Sequence, residues 1–151
     1  FENIIFFPWK ITNEKIILRD LKFLLESFKS NSLSKFLVKT HPTCSDPKKQ
    51  KKLKIEIESL LKIYEDKFND NKDKTSIFIG STTGVIVALE KGLDVIHICF
   101  DPLFESYSSK MWPELNVTSV SRNTFIYKLK KKQSFINFGE NDETFNKFYN
   151  K

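Results

Sequence analysis

Four short, almost unbroken apolar runs mark the first hundred residues, and an amphipathic segment follows each of the first three. A strand covered on both faces reads as a continuous apolar run, whereas a strand with one wet face alternates. The first run, Asn3-Ile4-Ile5-Phe6-Phe7-Pro8-Trp9, is ended by its proline. A helix capped by Thr12, with Glu14 in its first turn, then carries Ile17, Leu21, Leu24 and Phe28 on one stripe. Asn31-Ser32 breaks that pattern, and Lys35-Phe36-Leu37-Val38-Lys39 is a second strand running into Thr40-His41-Pro42. Asp46-Pro47 opens the next helix, an acid at the N-cap followed by proline at the first helical position. Its stripe is Leu53, Ile57, Leu60, Tyr64 and Phe68, and the polar stretch 69–74 follows. Ser76-Ile77-Phe78-Ile79 is a third strand, ended by Gly80-Ser81-Thr82-Thr83-Gly84. Val85 to Lys91 is a short apolar helix closed by Gly92, and Asp94 to Phe100 is a fourth strand. Beyond it, residues 101–116 read as a loop with Phe104 and Trp112 exposed or docking. Thr118–Leu129 holds a fifth strand and Glu143–Lys151 a terminal helix.

This alternation predicts parallel strands joined by right-handed crossovers, in an α/β sheet of about four to six strands with helices on both faces. Ligands of such sheets bind beyond the carboxyl ends of the strands, where the strand order reverses. An order 2-1-3-4 puts the reversal between the first and third strands. The segments Pro8–Thr12 and Gly80–Gly84 then flank it, with Thr40-His41-Pro42 beside them. A length of 151 residues suits one domain. The start lacks both Met and a basic leader region, so we read it as a domain cut from a longer protein, not a signal peptide. No apolar run reaches the ~18 residues of a membrane-crossing helix.

The net charge of +6 is local in origin. Of 25 basic residues only Arg19 and Arg122 are arginine. Nine lysines fall in two clusters, Lys48, Lys49, Lys51, Lys52 and Lys54, then Lys128, Lys130, Lys131 and Lys132; without them the balance turns negative. Readers of nucleic acid bring arginine for bidentate contacts, so no nucleic-acid partner is predicted. The first cluster is a solvated face or, secondarily, a peripheral contact with the inner membrane surface. Cys44 and Cys99 are too few for a disulfide framework and suit a reducing cytoplasm.

Gly80, Ser81, Thr82 and Thr83 follow a strand and open a helix, an arrangement that serves equally as an anion cradle or as a helix cap. His41 ends a strand before a proline that restricts it to extended geometry. Its convergence with the hydroxyl loop describes a phosphate pocket. His97 alternates inside a buried strand and reads as a satisfied core histidine, while Asp101 ends that strand either at the cleft or in a loop. Two histidines and two cysteines scattered without ligand spacing predict no metal.

The succession of Val38-Lys39-Thr40-His41-Pro42, Ile79-Gly80-Ser81-Thr82-Thr83 and Ala88-to-Gly92 with Asp94-Val95-Ile96 resembles the C-terminal half of GT-B glycosyltransferases. The resemblance spans residues 3–100 and is closest to bacterial sialyltransferases and capsule or lipooligosaccharide transferases. It implies a Rossmann-like, nucleotide-sugar-binding domain working with a missing N-terminal half that supplies the catalytic base. Lys39, His41 and Pro42 would then match one donor element and Gly80, Ser81, Thr82 and Thr83 the other, with His41 stabilising the leaving phosphate and no cofactor beyond the donor. It also implies a glycan or lipid-linked acceptor and a cytoplasmic place in surface-polysaccharide synthesis. Val87 stands where the family often carries a ribose-binding Glu, and Thr40 where it often carries proline. The competing readings are a GT-B-type nucleotide-sugar epimerase and a non-catalytic flavodoxin-like module. A receiver module is disfavoured because Pro8-Trp9-Lys10 supplies no paired acids.

Overall fold

The apolar runs do become strands. The computed structural model of the chain describes residues 2–70 and 74–131. The strands are β1 (Ile4–Phe6), β2 (Leu37–Lys39), β3 (Thr75–Ile79), β4 (Asp94–Ile98), β5 (Leu115–Ser119) and β6 (Thr124–Leu129). They form one sheet of order β2-β1-β3-β4-β6-β5. Strands β1 to β4 pair in parallel, while β6 runs antiparallel to both β4 and β5. The single strand expected over Thr118–Leu129 is therefore a hairpin, and the sheet is mixed. Its outer strand buries Leu115 but exposes Asn116, Thr118 and Ser119, so it has no continuous apolar run to betray it. The terminal helix expected over Glu143–Lys151, along with Lys132, lies outside the described residues, as do residues 71–73.

Register divides the apolar side chains between two faces. Val38, Ile5, Ile77, Ile96 and Ile126 align across the sheet on one face. Helices α1 (Glu14–Ser27) and α2 (Pro47–Ile63) cover it with Ile17, Leu21, Leu24, Leu25, Leu53 and Ile57. On the other face Phe78, Val95 and Tyr127 pack against Val85, Ala88 and Leu89 of α3 (Gly84–Glu90). Each such aliphatic or aromatic side chain withdrawn from water contributes about 1.5–3 kcal/mol before the cost of ordering it.

The helix ends follow local chemistry. The α1 cap is Asn13, one residue later than expected, and its Oδ1 accepts the Ile16 N–H at 3.2 Å. Asp46 caps α2 as expected by accepting the Lys49 N–H at 3.0 Å, with Pro47 at the first helical position. Helix α2 stops at Ile63 rather than continuing to Phe68. Phe68 instead bridges Leu33 and meets the Phe36 ring edge-on at 6.0 Å. Its apolar period is satisfied at the sheet's edge, not on the helix. Gly92, at φ +73°, reverses the chain after α3.

Gly84 is required for a different reason. A Cβ there would lie 2.5 Å from Cε1 of Phe78, which is fully buried. Gly84→Ala is expected to cost about 2 kcal/mol as overpacking, and Gly92→Ala about 1 kcal/mol as left-handed strain without a clash. Urea denaturation of the two variants checks both the values and their order.

Candidate functional site

Strand order reverses between β1 and β3, and three strand ends meet there. Pro8 follows β1, Gly80 follows β3 at φ +66°, and Phe100 follows β4. The Gly80 N–H donates to the Ile98 carbonyl at 2.8 Å. A Cβ on Gly80 would come within 2.8 Å of the Phe100 ring and 3.3 Å of the Pro8 Cβ. Only glycine suits both that backbone angle and that spacing.

His41 stands above the β1 side of the reversal. Its N–H donates to Oε1 of the buried Gln50 at 2.9 Å, and Gln50 Nε2 returns a bond to the His41 carbonyl at 3.2 Å. Helix α2 thus holds the His41 backbone through one side chain. The half-buried imidazole accepts the Thr43 N–H at Nδ1, 3.3 Å, and lies tilted over the Phe6 ring at 6.0 Å. Phe6 in turn meets Phe78 at 6.1 Å. Lys39 is exposed on the same face of β2, and Pro42 is exposed beside His41.

Across that aromatic pair, Ser81 and Thr83 are exposed, while Thr82 Oγ1 accepts the Gly84 N–H at 3.1 Å. Thr82 therefore serves as the turn's cap. Ser81, Thr82 and Thr83 form one wall of a groove of about 360 Å³ whose other wall is the segment 103–112. His41 and Lys39 do not line that groove. The two elements expected to converge are thus neighbours across Phe6 and Phe78, with the hydroxyl loop turned toward a segment expected to be a plain loop. Sequence reasoning passes over Glu105 and Tyr107 in that segment. A signal was present: Asp101-Pro102 repeats the Asp46-Pro47 signature, and Asp101 caps the short helix α4 (Pro102–Glu105) by accepting the Leu103 N–H at 3.2 Å. Phe104 is exposed, whereas Trp112 docks against Tyr107.

Beneath the groove His97 is buried, as expected of a core histidine. Its Nε2 lies 2.8 Å from the Gly80 carbonyl, which can only accept, so Nε2 carries the proton. Nδ1 is left to accept from the Tyr127 hydroxyl at 3.1 Å, and that oxygen accepts the Tyr107 N–H at 3.0 Å. Cys99 Sγ is 3.6 Å from the same Nδ1, with its thiol pushed up by burial and then by the charges of Glu105 and Asp101. Glu105 accepts the Phe100 N–H at 2.9 Å. The ligand-type atoms of His97, Cys99 and Glu105 lie within 4.8 Å of one another, a grouping hidden from any spacing rule because β4 and the following turn create it. In this form they are a hydrogen-bonded network with a protonated thiol, joining β3, β4, β6 and the 101–107 segment.

The lysine cluster on α2 is partly neutralised by Lys49–Glu14 at 3.7 Å and Lys54–Glu58 at 3.8 Å, while Lys48, Lys51 and Lys52 are exposed. Among the described residues no helix is long and apolar enough to cross a membrane. Comparison of the chain with protein-family models, with curated proteins and with solved structures finds no match.

Burial keeps the His97 imidazole neutral, pulling its pKa from an ordinary 6.5 down to about 4. The unfolded chain takes up that proton near the ordinary value and the folded chain only near the lower one. The stability is therefore complete above the unfolded pKa and declines as pH falls through the interval. Glu105 offsets part of the loss, because burial raises its carboxyl and favours the protonated form at low pH. Urea midpoints between pH 7 and pH 4 should register a His97 contribution on the order of 3 kcal/mol, and His97→Gln should flatten the slope.

Proposed function

We propose that the reversal point binds the phosphate of a nucleotide sugar, and that the chain is the donor-binding half of a glycosyltransferase. The observation that carries this reading is the placement of His41. Gln50 clamps its backbone at the carboxyl end of β2, beside the reversal, with Ser81 and Thr83 exposed across the Phe6–Phe78 pair. Helix α3 has only seven residues, so the reading rests on the imidazole and hydroxyls, not on a helix dipole.

In this reading Lys39 and the Nε2–H of His41, whose Nδ1 accepts from Thr43, face the donor phosphate, and hydroxyls of the Ser81–Thr83 loop donate to its oxygens. As the bond to the anomeric carbon breaks, charge builds on the departing phosphate. Groups already fixed nearby stabilise that charge without reorganising. The acceptor is a glycan or lipid-linked sugar whose hydroxyl attacks the anomeric carbon, and the base that activates it belongs to a further domain. The exposed Lys48, Lys51 and Lys52 would draw such a cytoplasmic enzyme toward an anionic membrane surface.

The Gln50 clamp uses only backbone atoms of His41, so His41→Ala should fold normally. We expect it to weaken CMP or UDP binding by ~1.5–3 kcal/mol, as for a lost hydrogen bond to a charged group. Calorimetry and a melting curve on one variant decide the matter. A lowered melting temperature with unchanged nucleotide affinity removes the proposal.

A further inference from the structure

The chain uses 23 lysines and only two arginines. Both arginines line one cleft of about 690 Å³, although they come from segments far apart in sequence. Arg19 belongs to α1 and Arg122 to the turn between β5 and β6. In so lysine-biased a chain, a pair of guanidinium groups at one cleft marks a place where a planar, forked donor matters more than charge alone. We infer that this cleft is a second ligand site, built for a hydroxylated carboxylate of the sugar-acid type.

The cleft is held in shape before any ligand arrives. Asp20, 2% exposed, ties α1 to the hairpin. Its Oδ1 accepts from Arg19 Nε at 2.9 Å, while its Oδ2 accepts from Thr124 Oγ1 at 3.0 Å and Ser121 Oγ at 3.2 Å. A buried carboxylate is tolerated only when its lone pairs are so occupied. This one also fixes the stem of Arg19, whose side chain remains 65% exposed. Asn123 anchors the turn by donating to the Cys99 and Phe100 carbonyls at 3.0 and 3.4 Å. Arg122 beside it makes no ion pair among the described residues.

The lining selects the ligand. The two guanidinium groups are balanced by Asp20 and Asp101, so the cleft is close to neutral overall. It therefore fits a singly charged carboxylate better than a dianionic phosphate. Asp101 on the rim can accept from hydroxyls, and the half-exposed Phe23 and partly buried Phe100 offer apolar walls to the C–H face of a sugar ring. The volume lies within the ~300–1,000 Å³ of small-molecule sites. The cleft lies on the α1 side of the sheet, whereas His41 stacks on Phe6, whose side chain faces the α3 side. The inference does not rest on the nucleotide reading.

The test is an NMR titration of the whole chain, without nucleotide, using glucuronate, glucose and inorganic phosphate as probes. Glucuronate should produce saturable shifts at the amides of Phe23, Asp101, Ser121 and Arg122, and glucose should not. Arg122→Gln should weaken glucuronate about tenfold or more at an unchanged melting temperature. Arg19→Gln should weaken it similarly while lowering the melting temperature, because buried Asp20 loses a donor. His41→Ala should leave it unaffected, which keeps this result separate from any failure of the nucleotide reading. Absence of saturable glucuronate shifts, equal shifts with glucose, a stronger response to phosphate, or full affinity in both arginine variants overturns the assignment.

Discussion

Gly80 engages three strands with one backbone unit. Its N–H is bonded to the end of β4, its carbonyl receives the buried His97, and its Cα faces Pro8 and the Phe100 ring where no side chain fits. The direction of the Ser81–Thr83 loop, the tautomer of His97 and the position of Phe100 all follow from that junction. Both clefts border it. One takes its wall from the loop that leaves Gly80, and the other from the Phe100 ring that presses on it.

The parallel core was legible because burial on both faces leaves a run with no polar interruption, as in Ile4 to Phe7 and Ile77 to Ile79. The Asp46-Pro47 helix start was legible because its cap chemistry is local. The β5–β6 hairpin was not, since its strands are half wet and its turn, Ser121-Arg122-Asn123, contains neither glycine nor proline. Losing that hairpin from view hid the partner of Asp20. An aspartate at position 20 looks like an ordinary solvated helix residue until Thr124 and Ser121 arrive beside it.

The same limit applies to the candidate sites. His41 and the hydroxyl loop stood out because each ends a strand, and strand ends are visible in sequence. The cluster of His97, Cys99 and Glu105 depends on alternation along β4 and a turn that brings Glu105 back, which spacing alone does not reveal. The sheet also leaves Lys39 and Leu37 uncovered, because α2 packs on the opposite face of β2. That placement of α2 cannot be read from its apolar stripe, which specifies that a face is buried but not against which side of the sheet.

The bond from Asp20 to Thr124 spans 104 residues. Closing so long a loop costs entropy before any contact rewards it, and contacts of this separation form late. During synthesis, α1 must exist with the Oδ2 of Asp20 unsatisfied, and therefore solvated, until the final described hairpin emerges from the ribosome. The arginine-lined cleft is thus assembled by the last pairing event of the sheet. A chain truncated before β6 would keep β1 to β4 but hold Asp20 in water, with Arg19 beside it and no Thr124 to bind.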